Sequence, residues 1–148
     1  MNRHVGCFLL ALAAGCSGIK TYPESGPRNV LVRTDVSKVE AALDIHDVGL
    51  DCHTTYRGTV RLDEAAISVG IPADRLSYLR FNFASSSFLR GSSSSSVGSL
   101  LKPRPGYSYE VRVSYRDDIY SVAIRETDPR KSSRRELPLR GLEGCGSS

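Results

Sequence analysis

The chain has 148 residues, a formal net charge of +4, 40% hydrophobic residues and 24% charged ones. Those proportions exclude wholesale disorder and a multi-span membrane protein, and the length suits one ordinary domain. Thirteen Gly and 7 Pro beside 21 Ser form a turn-rich inventory that leans toward β structure.

Arg3 and His4 precede an apolar run from Val5 to Ala14. Ten residues in a helix rise about 15 Å, half of the ~30 Å hydrocarbon core, so this run does not span a membrane unaided. Small residues follow it, as signal-peptide cleavage requires. The segment Leu12-Ala13-Ala14-Gly15-Cys16 resembles the lipobox of bacterial lipoproteins, with Ala13 where that family usually carries Leu. The resemblance covers the leader alone. It implies a signal peptide over residues 1–15, lipid on Cys16 and a membrane anchor in the cell envelope. Ser17 stands where an Asp usually marks inner-membrane retention, so the implied location is the outer membrane, facing the periplasm. Permanent anchoring follows from several acyl chains at about 0.8 kcal/mol per buried CH₂. With Cys7 removed in the leader and Cys16 acylated, Cys52 and Cys145 remain and are expected to pair. Such a bond closes about 94 residues and stabilises by about 4 to 5 kcal/mol in the chain-entropy model.

Residues 16–28 contain two Gly and two Pro without apolar periodicity, and read as a flexible tether that extends to roughly 40 Å at full stretch. Residues 29–148 read as the folded domain, because the apolar period there becomes two. Tyr56–Leu62, Tyr78–Phe83, Tyr107–Tyr115 and Tyr120–Arg125 alternate cleanly, and weaker strands are expected at Val30–Val36, Ala41–Val48, Ala66–Val69 and Leu137–Arg140. Asp117 and Asp118 suit a hairpin turn, and Pro103, Pro105 and Gly106 break the chain before Tyr107. The expectation is an all-β fold: an antiparallel β-sandwich of about six to eight strands, transthyretin-like or Ig-like. The absent Trp and Cys-Trp-Cys spacing argue against a true immunoglobulin domain. Residues 85–99 are low complexity, with five consecutive serines at 92–96, and read as a serine-rich loop that Phe88 and Leu89 pin to the domain.

Candidate chemistry is sparse. Asp44, His46 and His53 are the residues best able to ligate a metal, but their spacing matches no established ligand set, so no metal or cofactor is expected. Ser99-Leu100-Leu101-Lys102 fits an S-x-x-K pattern, yet Pro103 follows at once and neither companion motif is present. The run Arg130-Lys131-Ser132-Ser133-Arg134-Arg135 carries four positive charges in six residues and suits an acidic partner. Tyr22 and Tyr78 are the rings expected at the surface, a thin platform for sugar.

Losing Arg3 with the leader leaves 19 basic against 16 acidic residues, a mild excess that gives no reason to expect nucleic acid. The expected function is therefore non-enzymatic: an anchored envelope lipoprotein serving a protein assembly as a structural or accessory subunit. Phe88, Leu89, Arg130, Lys131, Arg134 and Arg135 are its expected contact residues. A module binding envelope glycan or lipopolysaccharide is the second expectation.

Overall fold

Alternating residues require two covered faces, and the computed structural model supplies them as two sheets packed face to face. It describes residues 19–23, 26–36, 39–87, 91–117 and 119–146. The strands are β1 Val30–Asp35, β2 Glu40–Val48, β3 Thr54–Arg61, β4 Ala66–Val69, β5 Ser77–Ser87, β6 Gly91–Leu101, β7 Ser108–Arg116, β8 Ile119–Asp128 and β9 Ser133–Leu137. One sheet has the order β3-β2-β5-β6, the other β4-β1-β7-β8-β9. Every strand pair is antiparallel except β1 with β7, which run parallel from Val30↔Tyr109 to Asp35↔Ser114. The all-β sandwich is thus as the periodicity implies, with one parallel contact inside it. A single 3₁₀ turn, Leu142–Gly144, follows the last strand.

Period-two alternation decides which side chains meet between the sheets. The four-stranded sheet contributes Leu43, Ile45, Leu79, Phe81, Phe83 and Leu101; the five-stranded sheet contributes Val30, Val32, Val111, Val113, Val122 and Ile124. Each large side chain buried this way stabilises by about 1.5 to 3 kcal/mol relative to exposure. At one end of the core Phe83 stacks on Tyr120 at 4.5 Å between centroids, and Tyr120 on Tyr115 at 4.7 Å.

Three expectations need correction. The described part of the serine-rich segment is not a loop: residues 85–87 end β5 and residues 91–99 belong to β6, two strands of eleven residues in unbroken register from Ser77↔Leu101 to Ser87↔Gly91. Backbone hydrogen bonding to β5 holds it, so it needs no apolar alternation of its own. β2 reaches only as far as the Glu40↔Ala84 pair, so the outer part of this hairpin projects beyond the sheet as a two-stranded ribbon. The second correction concerns the tether. Lys20 to Tyr22 lie along β3: the Tyr22 N–H donates to the Thr59 carbonyl at 3.0 Å, and the Thr59 N–H to that of Lys20 at 2.8 Å. The Tyr22 ring is buried and its hydroxyl donates to the Gly70 carbonyl at 2.9 Å. Gly58 permits this approach, since a Cβ there would stand 2.5 Å from Tyr22 Cα. Third, the last strand lies at Ser133–Leu137 rather than Leu137–Arg140, and takes in half of the basic run.

Beyond β9 the chain crosses to the other sheet as a strap. The Leu100 N–H of β6 donates to the Arg140 carbonyl at 2.6 Å, and Ser99 Oγ accepts from the Arg140 N–H at 3.1 Å. The strap ends at Cys145, joined to Cys52 in the β2–β3 turn with Cα atoms 5.9 Å apart. One covalent bond and one strand-edge contact therefore tie the end of the five-stranded sheet's chain to the four-stranded sheet.

Candidate functional site

Chemistry-bearing side chains collect on the outer face of the four-stranded sheet. Strand register lines them up in three rows: Arg61, Ala42, Asn82 and Ser96; then Thr59, Asp44, Arg80 and Gly98; then Tyr56, His46, Tyr78 and Leu100. A β-bulge between Ile45 and His46 keeps Tyr56 opposite the imidazole.

Asp44 is the centre of the middle row. Its carboxylate accepts from Thr59 Oγ1, from Asn82 Nδ2 at 2.7 Å and pairs with Arg80 at 3.5 Å. Arg80 Nε in turn donates to Asn82 Oδ1 at 3.1 Å, and the Tyr56 and Thr59 hydroxyls share a 2.6 Å hydrogen bond. With its oxygens engaged by three partners, Asp44 organises a polar network.

In the third row the His46 ring lies 5.4 Å from Tyr56 and 6.1 Å from Tyr78, centroid to centroid. Burial between these rings lowers the His46 pKa; Asp44 opposes that shift and Arg80 adds to it. Its Nε2 is buried without a hydrogen-bond partner. Tyr78 crosses over Gly98, where a Cβ would stand within 2.4 Å of Cζ. Tyr56 remains 39% exposed, so one ring of the row faces solvent. Tyr78 is only half-buried, whereas Tyr22, the other ring expected outside, belongs to the core. Beside these rows a cleft of about 920 Å³ runs along Arg61, Arg80, Asn82 and Ser94 to Ser96, with Glu40 and Glu64 at its rim.

The three metal candidates do not come together. Asp44 and His46 share this face, but His53 stands exposed in the β2–β3 turn, paired with Asp51 at 2.9 Å. Among the described residues no three His, Cys, Asp or Glu side chains gather in a metal-binding group. The first three residues of the S-x-x-K tetrad end β6, where Ser99 is buried, and Lys102 lies just past the strand, exposed to solvent.

The basic run is divided by its secondary structure. Arg130 and Lys131 form the β8–β9 turn, where the Arg130 N–H donates to Asp128 at 2.9 Å. Arg134 and Arg135 alternate on β9, and Arg135 reaches Glu126 at 3.0 Å. Arg134 takes the outer face of the five-stranded sheet with Arg33 and Arg125. There Arg33 and Arg112 both hold Glu110, at 3.3 and 3.2 Å. Cys16, Phe88 and Leu89 lie outside the described residues.

Glu126 is a site that motif reading misses. It is 5% exposed, and its carboxylate accepts two hydrogen bonds from Arg104, one from Arg135 and one from the Tyr109 hydroxyl at 2.9 Å. Arg104 also lies 4.0 Å over the Tyr107 ring, whose hydroxyl donates to Asp128 at 3.1 Å. The Arg104 hydrogen bonds hold the Glu126 carboxyl below the usual range, and burial opposes them. The signal was present in the alternation: Val122, Ile124 and Glu126 share one face of β8, so a carboxylate occupies a core position and requires a cation. Comparison with known proteins returns no matching family model, no similar curated protein and no similar solved structure.

Proposed function

We propose that this chain is an exported, lipid-anchored β-sandwich of the bacterial cell envelope that acts by contact within a protein assembly, without catalysis. The observation that carries this reading is the Cys52–Cys145 bond. It accounts for two of the three cysteines beyond the leader and leaves Cys16, beside the apolar run, for lipid. Disulfides persist in oxidising compartments, which agrees with export. Intact-mass analysis of the chain from its native membrane tests the anchor. The expected species begins at Cys16 and carries acyl groups; an unmodified Cys16, or free thiols at Cys52 and Cys145, overturns it.

The contact surface on this reading is the β8–β9 turn and Arg134. Arg135 is excluded, because reversing its charge would set a second carboxylate beside Glu126. Whole-cell crosslinking compares wild type with a chain carrying Arg130→Glu, Lys131→Glu and Arg134→Glu. Loss of a crosslinked partner is expected; an unchanged pattern removes this surface from the reading.

A second reading, a module for envelope glycan or lipopolysaccharide, is favoured by Tyr56 and half-buried Tyr78 beside the Asp44, Arg80 and Asn82 network. Flat rings stack on sugar faces, and fixed amide and guanidinium groups orient hydroxyls. Titration with soluble peptidoglycan or lipopolysaccharide fragments should move the Tyr56 and Tyr78 ring resonances, and Tyr56→Ala should weaken binding about tenfold. Unmoved ring signals would discard it.

A further inference from the structure

A sheet edge is a row of unpaired N–H and C=O groups, and folded proteins protect such rows. Three of the four edges here carry a recognisable device. Lys20 to Tyr22 lie against β3. β4 has only four residues. β9 is a five-residue strand bearing Arg134, Arg135 and Glu136, charged side chains of the kind that blunt an edge. The fourth edge, β6, is treated unevenly. Its Leu100 end is sealed by Arg140, whereas Ser92 to Ser96 are all exposed, uncharged and free of Pro or bulge.

We propose that the edge of β6 from Gly91 to Val97 is a self-association site, pairing antiparallel with the same segment of a second copy across a two-fold axis at Ser94. The backbone restricts the register, and the axis at Ser94 is the one that pairs all five serines with one another. Leu100 donates outward, away from β5, and the β5–β6 register runs without a break. Strand alternation therefore turns the N–H and C=O of Ser92, Ser94 and Ser96 to the open side. Directly opposed residues in an antiparallel pair both point toward the partner or both away, so an even position must face an even one. With the axis at Ser94, Ser94 faces its own copy, Ser92 faces Ser96, and Ser93 faces Ser95. The five serines read the same in either direction about that point. Every facing pair is small and neutral, and the three outward residues exchange about six hydrogen bonds between chains, two per facing pair. A two-fold contact is isologous, so one palindromic segment supplies both halves.

The committed occupant is a second copy because the segment complements itself and carries no charge for a partner to match. Its pairing surface is narrow, so the association is concentration-dependent and weaker than that of an obligate dimer. Nothing in the geometry depends on lipid at Cys16.

Sedimentation velocity on the purified full chain in detergent, with protein varied over about a hundredfold, should give a monomer–dimer equilibrium. Hydrogen exchange should slow at the Ser92, Ser94 and Ser96 amides as concentration rises, and not at Ser93 and Ser95, which already bond to β5. Ser94→Pro removes an outward donor without touching the β5 ladder and should weaken the dimer at least tenfold. Ser94→Lys places like charges on the axis and should weaken it likewise, with recovery at high salt. A monomer at every concentration overturns the proposal, as does a dimer that neither variant affects. A monomeric chain whose Ser94→Pro variant loses a crosslinked partner in cells also overturns it, and assigns the edge to a partner's strand.

Discussion

The two ends of the sandwich are secured by different means. At the strap end, Cys145 is bonded to Cys52, Arg140 covers the edge of β6, and Glu126 is held by Arg104, Arg135 and Tyr109. At the ribbon end, Phe83, Tyr120 and Tyr115 stack at the limit of the core, and beyond them β5 and β6 continue with, among the described residues, only each other to pair. The first end is constrained by covalent and charged contacts between distant segments. The second relies on local backbone pairing, and serines contribute little else. An element held this way opens at low free energy while the strapped end persists toward global unfolding.

Four variants break or sharpen that contrast. Removing the bond with Cys52→Ser and Cys145→Ser together should cost about 4 kcal/mol, read as a lower denaturation midpoint with the ribbon's amide exchange unchanged. Phe83→Ala should cost about 3 kcal/mol and loosen Tyr120, marking where the shared core stops and the ribbon starts. Glu126→Gln should cost about 2 kcal/mol. The sign of its pH dependence follows from a folded pKa held below the unfolded one. The stabilisation is complete above the unfolded value of about 4.3 and is lost as pH falls through the lower folded value. Acid unfolding followed by circular dichroism should therefore be shallower below about pH 4 in the variant. Ser85→Ala with Ser93→Ala deletes the 2.7 Å hydroxyl pair of the ribbon and should change stability by less than about 0.5 kcal/mol. A loss comparable to that of Phe83→Ala would mean that the ribbon belongs to the cooperative core after all.

The same contrast explains what the sequence displayed. β7 and β8 could be read directly, because Tyr107 to Tyr115 and Tyr120 to Ile124 alternate between a dry face and a wet one. β6 could not, because Ser92 to Ser96 are all exposed whichever face of the strand they take, so alternation has nothing to record. Tyr22 escapes the pattern for the opposite reason. It is a lone ring in a Gly- and Pro-bearing segment, and only the groove beside Gly58 and Gly70 makes it a core residue. The two halves of the basic run look alike in sequence, yet the β8–β9 register sends Arg135 to Glu126 and leaves Arg130 in the turn. On the outer sheet face, Asp44 and His46 stand close together in the sequence, but Arg80, Asn82 and Tyr56 join them only through the strand order β3-β2-β5. Side chains that cooperate across strands have no signature along the chain.

The docking of Lys20 to Tyr22 on β3 bears on the proposed lipid at Cys16. A free tether from that cysteine to Arg28 would let the domain drift to roughly 40 Å, sampling many orientations. Once Lys20 is fixed, four peptide steps remain, a reach of about 14 Å. On that proposal the β3 side of the domain would be confined next to the lipid headgroups, and rotation about the anchor would be curtailed. Neighbouring copies in one leaflet would share nearly the same height and tilt, so encounters between them become largely a two-dimensional search. With lipid at Cys16 as proposed, the missing methyl group of Gly58 would set how far the domain stands from the membrane.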